Sequence, residues 1–299
     1  MEYITKNNGY RCDVPSVVVI GKFDGVHRGH KKLVETAKKY RNLEGKRLIA
    51  VTFDGMPFEG KCITTNEERR ELLEESGVDI LVEYSFTKEF TETSAEDFIR
   101  DYLVDRLRAG VIVAGTDCGF GKGRKGNIAL LKEKEVLYGY ETVVVDKEKE
   151  GGREISSTYV REELLLGNVE NAANLMGREY FIRGVVTEGN RIGRTLDFPT
   201  ANLVFPREKV VPKYGVYASH IYYNGRTYKG ISNIGVKPTI SSHETCGVET
   251  YLFDFDEDIY GKEITVSLSE YIRGEQKFAG LAELKAQVDR DIQFVKNKA

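Results

Sequence analysis

The chain has 299 residues, enough for two domains, because single hydrophobic cores stop growing near this length. A formal net charge of −3 at pH 7 gives no general attraction to nucleic acid or to an anionic membrane surface. MEYITKNNGYRC lacks the apolar core of a secretion signal and no apolar run is long enough to span a bilayer. The expectation is a cytoplasmic protein, a monomer or weak homo-oligomer, that binds neither nucleic acid nor membrane. Cys12, Cys62, Cys118 and Cys246 show no CxxC pair or metal-ligand spacing and read as reduced thiols.

In chain order, short β-branched runs occur at 16–20, 47–53, 79–84, 111–115 and 141–146, with helical patterns between them. HKKLVETAKKY (30–40) places Leu33, Val34 and Ala37 on one face. TNEERRELLEESG opens with a Thr65/Glu68 capping box and stops at Gly77, and SAEDFIRDYLVDRLRAG is read as one helix from a Ser94 cap to Gly110. This alternation predicts an α/β domain with a parallel sheet covered by helices, whose ligands sit at the carboxyl ends of the strands. Two short helices over 155–177 bridge to a second half, with the boundary set at 176/177. From there strand-like segments follow without helices, and Asn224-Gly225 between alternating runs is a hairpin signal. The second half is therefore read as a small antiparallel β-barrel, closed by a terminal amphipathic helix over 281–298.

IGKFDGVHRGH (20–30) ends the first strand and opens the first helix. Gly21 and Gly25 permit a tight turn and close approach of the backbone to a ligand, and Asp24 can fix the turn. His27 and His30 stand where free N–H groups and the positive end of the helix dipole favour an anion. Two imidazoles there can donate hydrogen bonds to phosphate oxygens and stabilise charge that develops in a transition state. Farther on, ISSTYVR (155–161) offers the hydroxyls of Ser156, Ser157 and Thr158, and Arg161 one turn later.

GKFDGVHRGH resembles the GxFDGxHxGH form of the nucleotidylyltransferase signature found in bacterial FAD synthetases, and ISSTYVR resembles that family's ISSTxxR motif. The resemblance implies a Rossmann-like nucleotidyltransferase domain that binds ATP, with His27, His30 and Arg161 catalytic. It assigns Gly21, Phe23, Asp24, Gly25, Gly29, Asp117, Ser156, Ser157 and Thr158 to the nucleotide. Two segments depart from the family pattern. TFDGMPFEGKCITT lacks the usual Pro-His, and in GTDCGFGKGRKG (115–126) Asp117 stands at an Asn position and Cys118 at an aromatic one. The same loop holds a GxGxxG string, Gly121 to Gly126, with Asp146 some twenty residues on. It follows the fourth strand rather than the first, which counts against a dinucleotide-dependent dehydrogenase.

GNRIGRTLDFPTANLVFP (189–206) joins a Gly-rich turn to hard oxygen donors: Gly189 and Gly193 let backbone approach a nucleotide, and Thr200 and Asn202 suit Mg²⁺. With YGVY, GISNIGVKPT, VETYLFDFDEDIYG and YIRGEQKF in the same order and spacing, this half resembles riboflavin kinase over about 180–297. The resemblance implies Glu249 as the general base, Gly189, Gly193 and Arg194 at ATP, Thr200 and Asn202 at Mg²⁺, and Arg273 and Glu275 at the flavin. Together the halves imply phosphorylation of riboflavin to FMN, then adenylylation of FMN to FAD. Two other readings remain at this point. One is a riboflavin kinase whose adenylylating half is weakened or repurposed, and the other is a non-catalytic flavin- or nucleotide-binding regulator.

Overall fold

A computed structural model describes residues 1–5, 9–54, 61–188, 198–237 and 245–298. Its contacts divide the chain into Met1–Ser157 and Thr158–Ala299. The division falls one residue into the helix Ser157–Leu166, so the bridging helices group with the second unit.

In the first unit β1 (Glu2–Thr5), β2 (Ser16–Ile20), β3 (Arg47–Asp54), β4 (Ile80–Ser85), β5 (Ala109–Gly115) and β6 (Glu141–Val145) form one sheet in the order β1-β4-β3-β2-β5-β6. Every pairing is parallel. The continuous apolar run of β2 follows from burial on both faces. Val17 and Val19 pack with Leu33, Val34 and Ala37 of α1 (Arg28–Glu44), whereas Val18 and Ile20 pack with Ile99 and Leu103 on the other side. The sheet order reverses between β2 and β5, so the loops leaving those two strands flank a crevice.

The Thr65/Glu68 capping box starts α2 (Asn66–Glu75) as expected. Residues 94–110 differ from the single α-helix that was expected. After α3 (Lys88–Thr91), α4 (Ala95–Asp97) opens on a Ser94 cap and runs directly into a π-helical stretch, Phe98–Arg106. The wider turn puts residues five apart on one side, and Phe98 and Leu103 are both buried. Arg108, at φ 51, takes the left-handed conformation that ends the segment, and Gly110 belongs to β5. Strand β1 had no counterpart in the sequence reading. It is short and gains its place only by pairing with β4. The unit is completed by α5 (Ile128–Tyr138), capped by Asn127, and a two-residue ribbon, β7 (Lys149–Glu150) with β8 (Arg153–Glu154).

The second unit begins with α6 (Ser157–Leu166) and α7 (Val169–Met176). Its strands are β9 (Tyr180–Val185), β10 (Thr200–Val204), β11 (Gly215–Tyr223), β12 (Arg226–Lys237), β13 (Thr245–Leu252) and β14 (Glu263–Arg273), ordered β10-β13-β12-β11-β14-β9. Thr187, just past β9, pairs with Asn202 of β10, so the two edges meet and the sheet closes as a barrel. Asn224 and Gly225, at φ 48 and 75, make the expected tight hairpin between β11 and β12. The helix α8 (Leu281–Lys296) packs its Ile292, Val288 and Val295 outside the barrel against Val216, Ile231, Tyr251 and Phe253.

Inside the barrel, three buried hydroxyls cross the sheet: Ser219 to Ser232 at 2.7 Å, and Ser232 to Thr250 at 2.8 Å. Ser232 serves both neighbours, so Ser232→Ala leaves two buried hydroxyls short of a partner. The expected cost is about 1–3 kcal/mol, read as a lowered denaturation midpoint of the second unit in calorimetry.

Candidate active sites

A cleft of about 590 Å³ lies in the first unit among the residues that follow β2, β5 and β6. Its first wall is the turn from β2 to α1. Two non-glycine residues there take positive φ, Phe23 at 51 and Val26 at 36, a conformation that surrounding bonds must hold in place. Asp24 supplies those bonds. Its carboxylate accepts from the backbone N–H of Ile63 at 2.8 Å and of Thr64 at 3.3 Å, and its carbonyl accepts from the Ser157 hydroxyl at 2.8 Å. The Gly25 N–H donates to Thr64 Oγ1 at 3.1 Å.

This turn delivers two imidazoles. His27 is the N-cap of α1, its Nδ1 accepting from the His30 N–H at 3.3 Å. Nδ1 is thus an acceptor, which puts the ring proton on Nε2. The two rings stack, with centroids 3.7 Å apart and planes at 17°. A Cβ on Gly29 would come within 3.2 Å of the His27 ring, so Gly29 makes the space in which it lies. His30 is 8 % exposed and its Nδ1 is enclosed without a hydrogen-bond partner. Burial first, and then the neighbouring His27, holds its pKa well below the usual histidine range, so His30 is neutral. With Nδ1 enclosed, it meets a ligand only through Nε2. Two imidazoles at the positive end of a 17-residue helix are suited to phosphate oxygens.

Of the residues expected at the nucleotide, Gly21, His27, Gly29, His30, Asp117, Ser156 and Ser157 line the cleft. Phe23, Asp24 and Gly25 are not among its lining residues, and Asp24 and Gly25 bond to the 63–64 segment. Thr158 and Arg161 lie on α6, which the division of the chain places in the second unit.

Features absent from the sequence reading complete the cleft. Lys147 binds Asp117 at 3.0 Å and Glu154 at 2.9 Å, and these bonds, Glu154's first, raise its pKa. Phe53, Phe86, Phe90, Phe98 and Phe120 also line the cleft as an aromatic wall, for example Phe53 edge-on to Phe86 at 5.8 Å. Five phenylalanines from separate elements leave no local signature. Burial, and then Asp117, pushes the Cys118 thiol up to about 12, so Cys118 is no thiolate nucleophile. The GxGxxG string does not open a helix at a phosphate. Lys122 N–H bonds back to the Thr93 carbonyl at 2.7 Å, and α5 begins only at Ile128.

The second site is a row on the outside of the barrel. Register places Asn202 of β10 opposite Glu249 of β13, and Glu249 opposite Asn233 of β12. Thr200 shares that face by alternation. The Asn202 Nδ2 donates to the Thr200 carbonyl at 3.2 Å, which turns Oδ1 the other way. Glu275 lies along the same face: a Cβ on Gly235 would fall 2.1 Å from its Oε1, so only glycine admits the carboxylate. Arg273 grips Asp291 of α8 through Nε and Nη2. Asn233 is the residue of this row that the sequence reading missed, although GISNIG carries it. Gly189, Gly193 and Arg194 lie outside the described residues.

The model of the FAD synthetase family matches residues 10–159, and that of riboflavin kinase matches 176–299. The bifunctional riboflavin kinase/FMN adenylyltransferase of Listeria monocytogenes is 35 % identical over 94 % of this chain and 91 % of its own. Those of Escherichia coli and Bacillus subtilis are each 38 % identical, covering 92 % and 93 % of this chain and 90 % of their own. The chain belongs to this bifunctional family. A crystal structure described as a macrolide-efflux protein from Streptococcus pneumoniae superimposes over 99 % of both chains, with a TM-score of 0.91 at 31 % identity. In the present chain no helix among the described residues is long and apolar enough to cross a membrane.

As a member of the family, the chain is an ATP-dependent riboflavin kinase and FMN adenylyltransferase, making FMN in one unit and FAD in the other. Neither the regulator nor the dehydrogenase is favoured by these matches.

The buried neutral His30 has a consequence for pH. Unfolded, it titrates near ~6.5, so below that pH the folded unit binds fewer protons than the unfolded chain. Its contribution is full above about pH 7 and is lost as pH falls, by at most about 1.4 kcal/mol per unit. His30→Gln should therefore lose about 1 kcal/mol less than the parent between pH 7 and pH 5.5 in urea unfolding. Equal losses in the two proteins would show that His30 is not held neutral.

Proposed function

We propose how the residues divide the two reactions. In the adenylyltransferase cleft the Nε2–H groups of His27 and His30 donate to the phosphates of ATP, while Gly21, Gly29, Ser156 and Ser157 supply close backbone and hydroxyls. Thr158 and Arg161, which the motif resemblance assigns to the triphosphate, act on ATP, and Asp117 faces the nucleotide. An FMN phosphate oxygen attacks the α-phosphorus, and pyrophosphate leaves with the electrons of the broken bond. No enzyme-bound covalent intermediate is needed, since in-line displacement asks for positioning and charge stabilisation. Asp24, spent on backbone N–H groups, holds the turn rather than the ligand. The observation that carries this reading is the stacked histidine pair, with His30 held neutral by burial, at the start of α1.

In the kinase site Glu249 takes the proton of the riboflavin 5′-hydroxyl as that oxygen attacks the γ-phosphorus of ATP and ADP departs. Arg273 and Glu275 contact the flavin, and Gly189, Gly193 and Arg194 the nucleotide. Thr200 and Asn202 fit Mg²⁺, because they offer hard oxygens on one strand face beside the carboxylate of Glu249. Bound with ATP, that ion would neutralise phosphate charge.

Separate readouts of FMN and FAD test the assignment. With riboflavin, ATP and Mg²⁺, Glu249→Gln should lower FMN formation by about two orders of magnitude or more, while FMN supplied directly is still converted to FAD. His30→Ala should leave FMN formation intact and stop FAD. Chromatography of the flavins gives both rates, and a joint loss of the two activities in either variant refutes the division of roles.

A further inference from the structure

We propose that Asp291, on the terminal helix α8, is a positioning residue of the riboflavin kinase site, acting on the flavin through Arg273. The inference rests on the reading above that Arg273 and Glu275 meet the flavin.

Asp291 is out of place for a packing helix. It is 3 % exposed, as buried as its neighbour Ile292, on a helix that otherwise covers the barrel with apolar side chains. A carboxylate survives such burial only when its oxygens are satisfied. Here Arg273 donates from Nε to both oxygens at 3.1 and 3.0 Å and from Nη2 at 2.7 Å, and Gln287 Nε2 adds a bond at 2.8 Å. The guanidinium is thereby fixed in plane and direction.

That fixation propagates to the site. Arg273 Nη1 donates to the Gly274 carbonyl at 3.1 Å, tying down the next peptide. The following residue, Glu275, lays its carboxylate on Gly235 of β12. Gly235 is one same-face step from Asn233, the residue opposite Glu249. An unbroken line thus runs from α8 through Asp291, Arg273 and Glu275 to the row that holds the base. Of the five N–H groups of a guanidinium, Nε and one on each Nη are engaged by described residues, so a ligand would meet the other two. Asp291 decides where those two point.

A structural tie alone would lower stability without selecting a substrate, so the test separates the Michaelis constants within the full chain. Asp291→Asn keeps the shape and removes the charge. It should raise KM for riboflavin at least tenfold, keep KM for ATP within twofold, and leave FAD formation from supplied FMN unchanged as an internal control of folding. Arg273→Ala should do the same, and the double variant should be no worse than Arg273→Ala alone. Gln287→Ala, which spares the ion pair, should give a smaller rise in riboflavin KM. If Asp291→Asn leaves riboflavin KM unchanged while Arg273→Ala raises it, positioning by Asp291 is wrong and the flavin role of Arg273 stands. Additive losses in the double variant overturn it as well, as does a fall in kcat and melting temperature with both Michaelis constants unmoved. If Arg273→Ala itself leaves riboflavin KM unchanged, the flavin role of Arg273 fails and the inference falls with it.

Discussion

The N-terminal site depends on the carboxylate of Asp24. The chain must turn from β2 into α1 within a few residues, and it does so with Phe23 and Val26 in backbone conformations that cost of order 1–3 kcal/mol each. Asp24 offsets that strain by accepting two backbone N–H groups from 63–64 while its carbonyl takes the Ser157 hydroxyl. One residue thereby joins the β2–α1 turn to the segment before α2 and to the ISST stretch. The stacked histidines, the helix N-terminus and the serines reach one cleft because that clamp holds.

A similar constraint, in another form, governs the barrel. Glu249 lies on an alternating strand, where a glutamate is ordinarily a solvated surface residue. Its surroundings come from register: β10 sets Asn202 on one side of it and β12 sets Asn233 on the other. A slip of one residue would turn Glu249 into the barrel and the hydroxyl of Thr250 out. The buried line Ser219–Ser232–Thr250 resists that slip, since its hydrogen bonds form in one register only. Polar groups inside the barrel thus support polar groups outside it.

Much of the fold was legible in local pattern. Five of the six strands of the first sheet, β2 to β6, the Thr65/Glu68 box and the Asn224-Gly225 hairpin all arise from nearest-neighbour chemistry, and the structure has each of them. The π-helical turn at 98–106 and the edge strand β1 were not legible. The first is chosen by the aromatic packing around Phe98 and the second by pairing with β4. The same split runs through the sites. Residues in dense motifs, such as His27, His30 and Glu249, stood out, whereas the phenylalanine wall, Lys147, Asn233 and Asp291 are spread along the chain and carry no local signal.

By itself, then, the sequence determined the two-unit plan, the periodicities of its elements and the chemical character of each site, because those rest on short-range spacing and residue type. Tertiary structure decided which groups meet and which are buried. It tied Asp24 to the backbone of 63–64 and neutralised His30 by burial. It bound Arg273 to Asp291 across 18 residues. Each of these depends on desolvation or on a partner distant in sequence, and both exist only once the chain has folded.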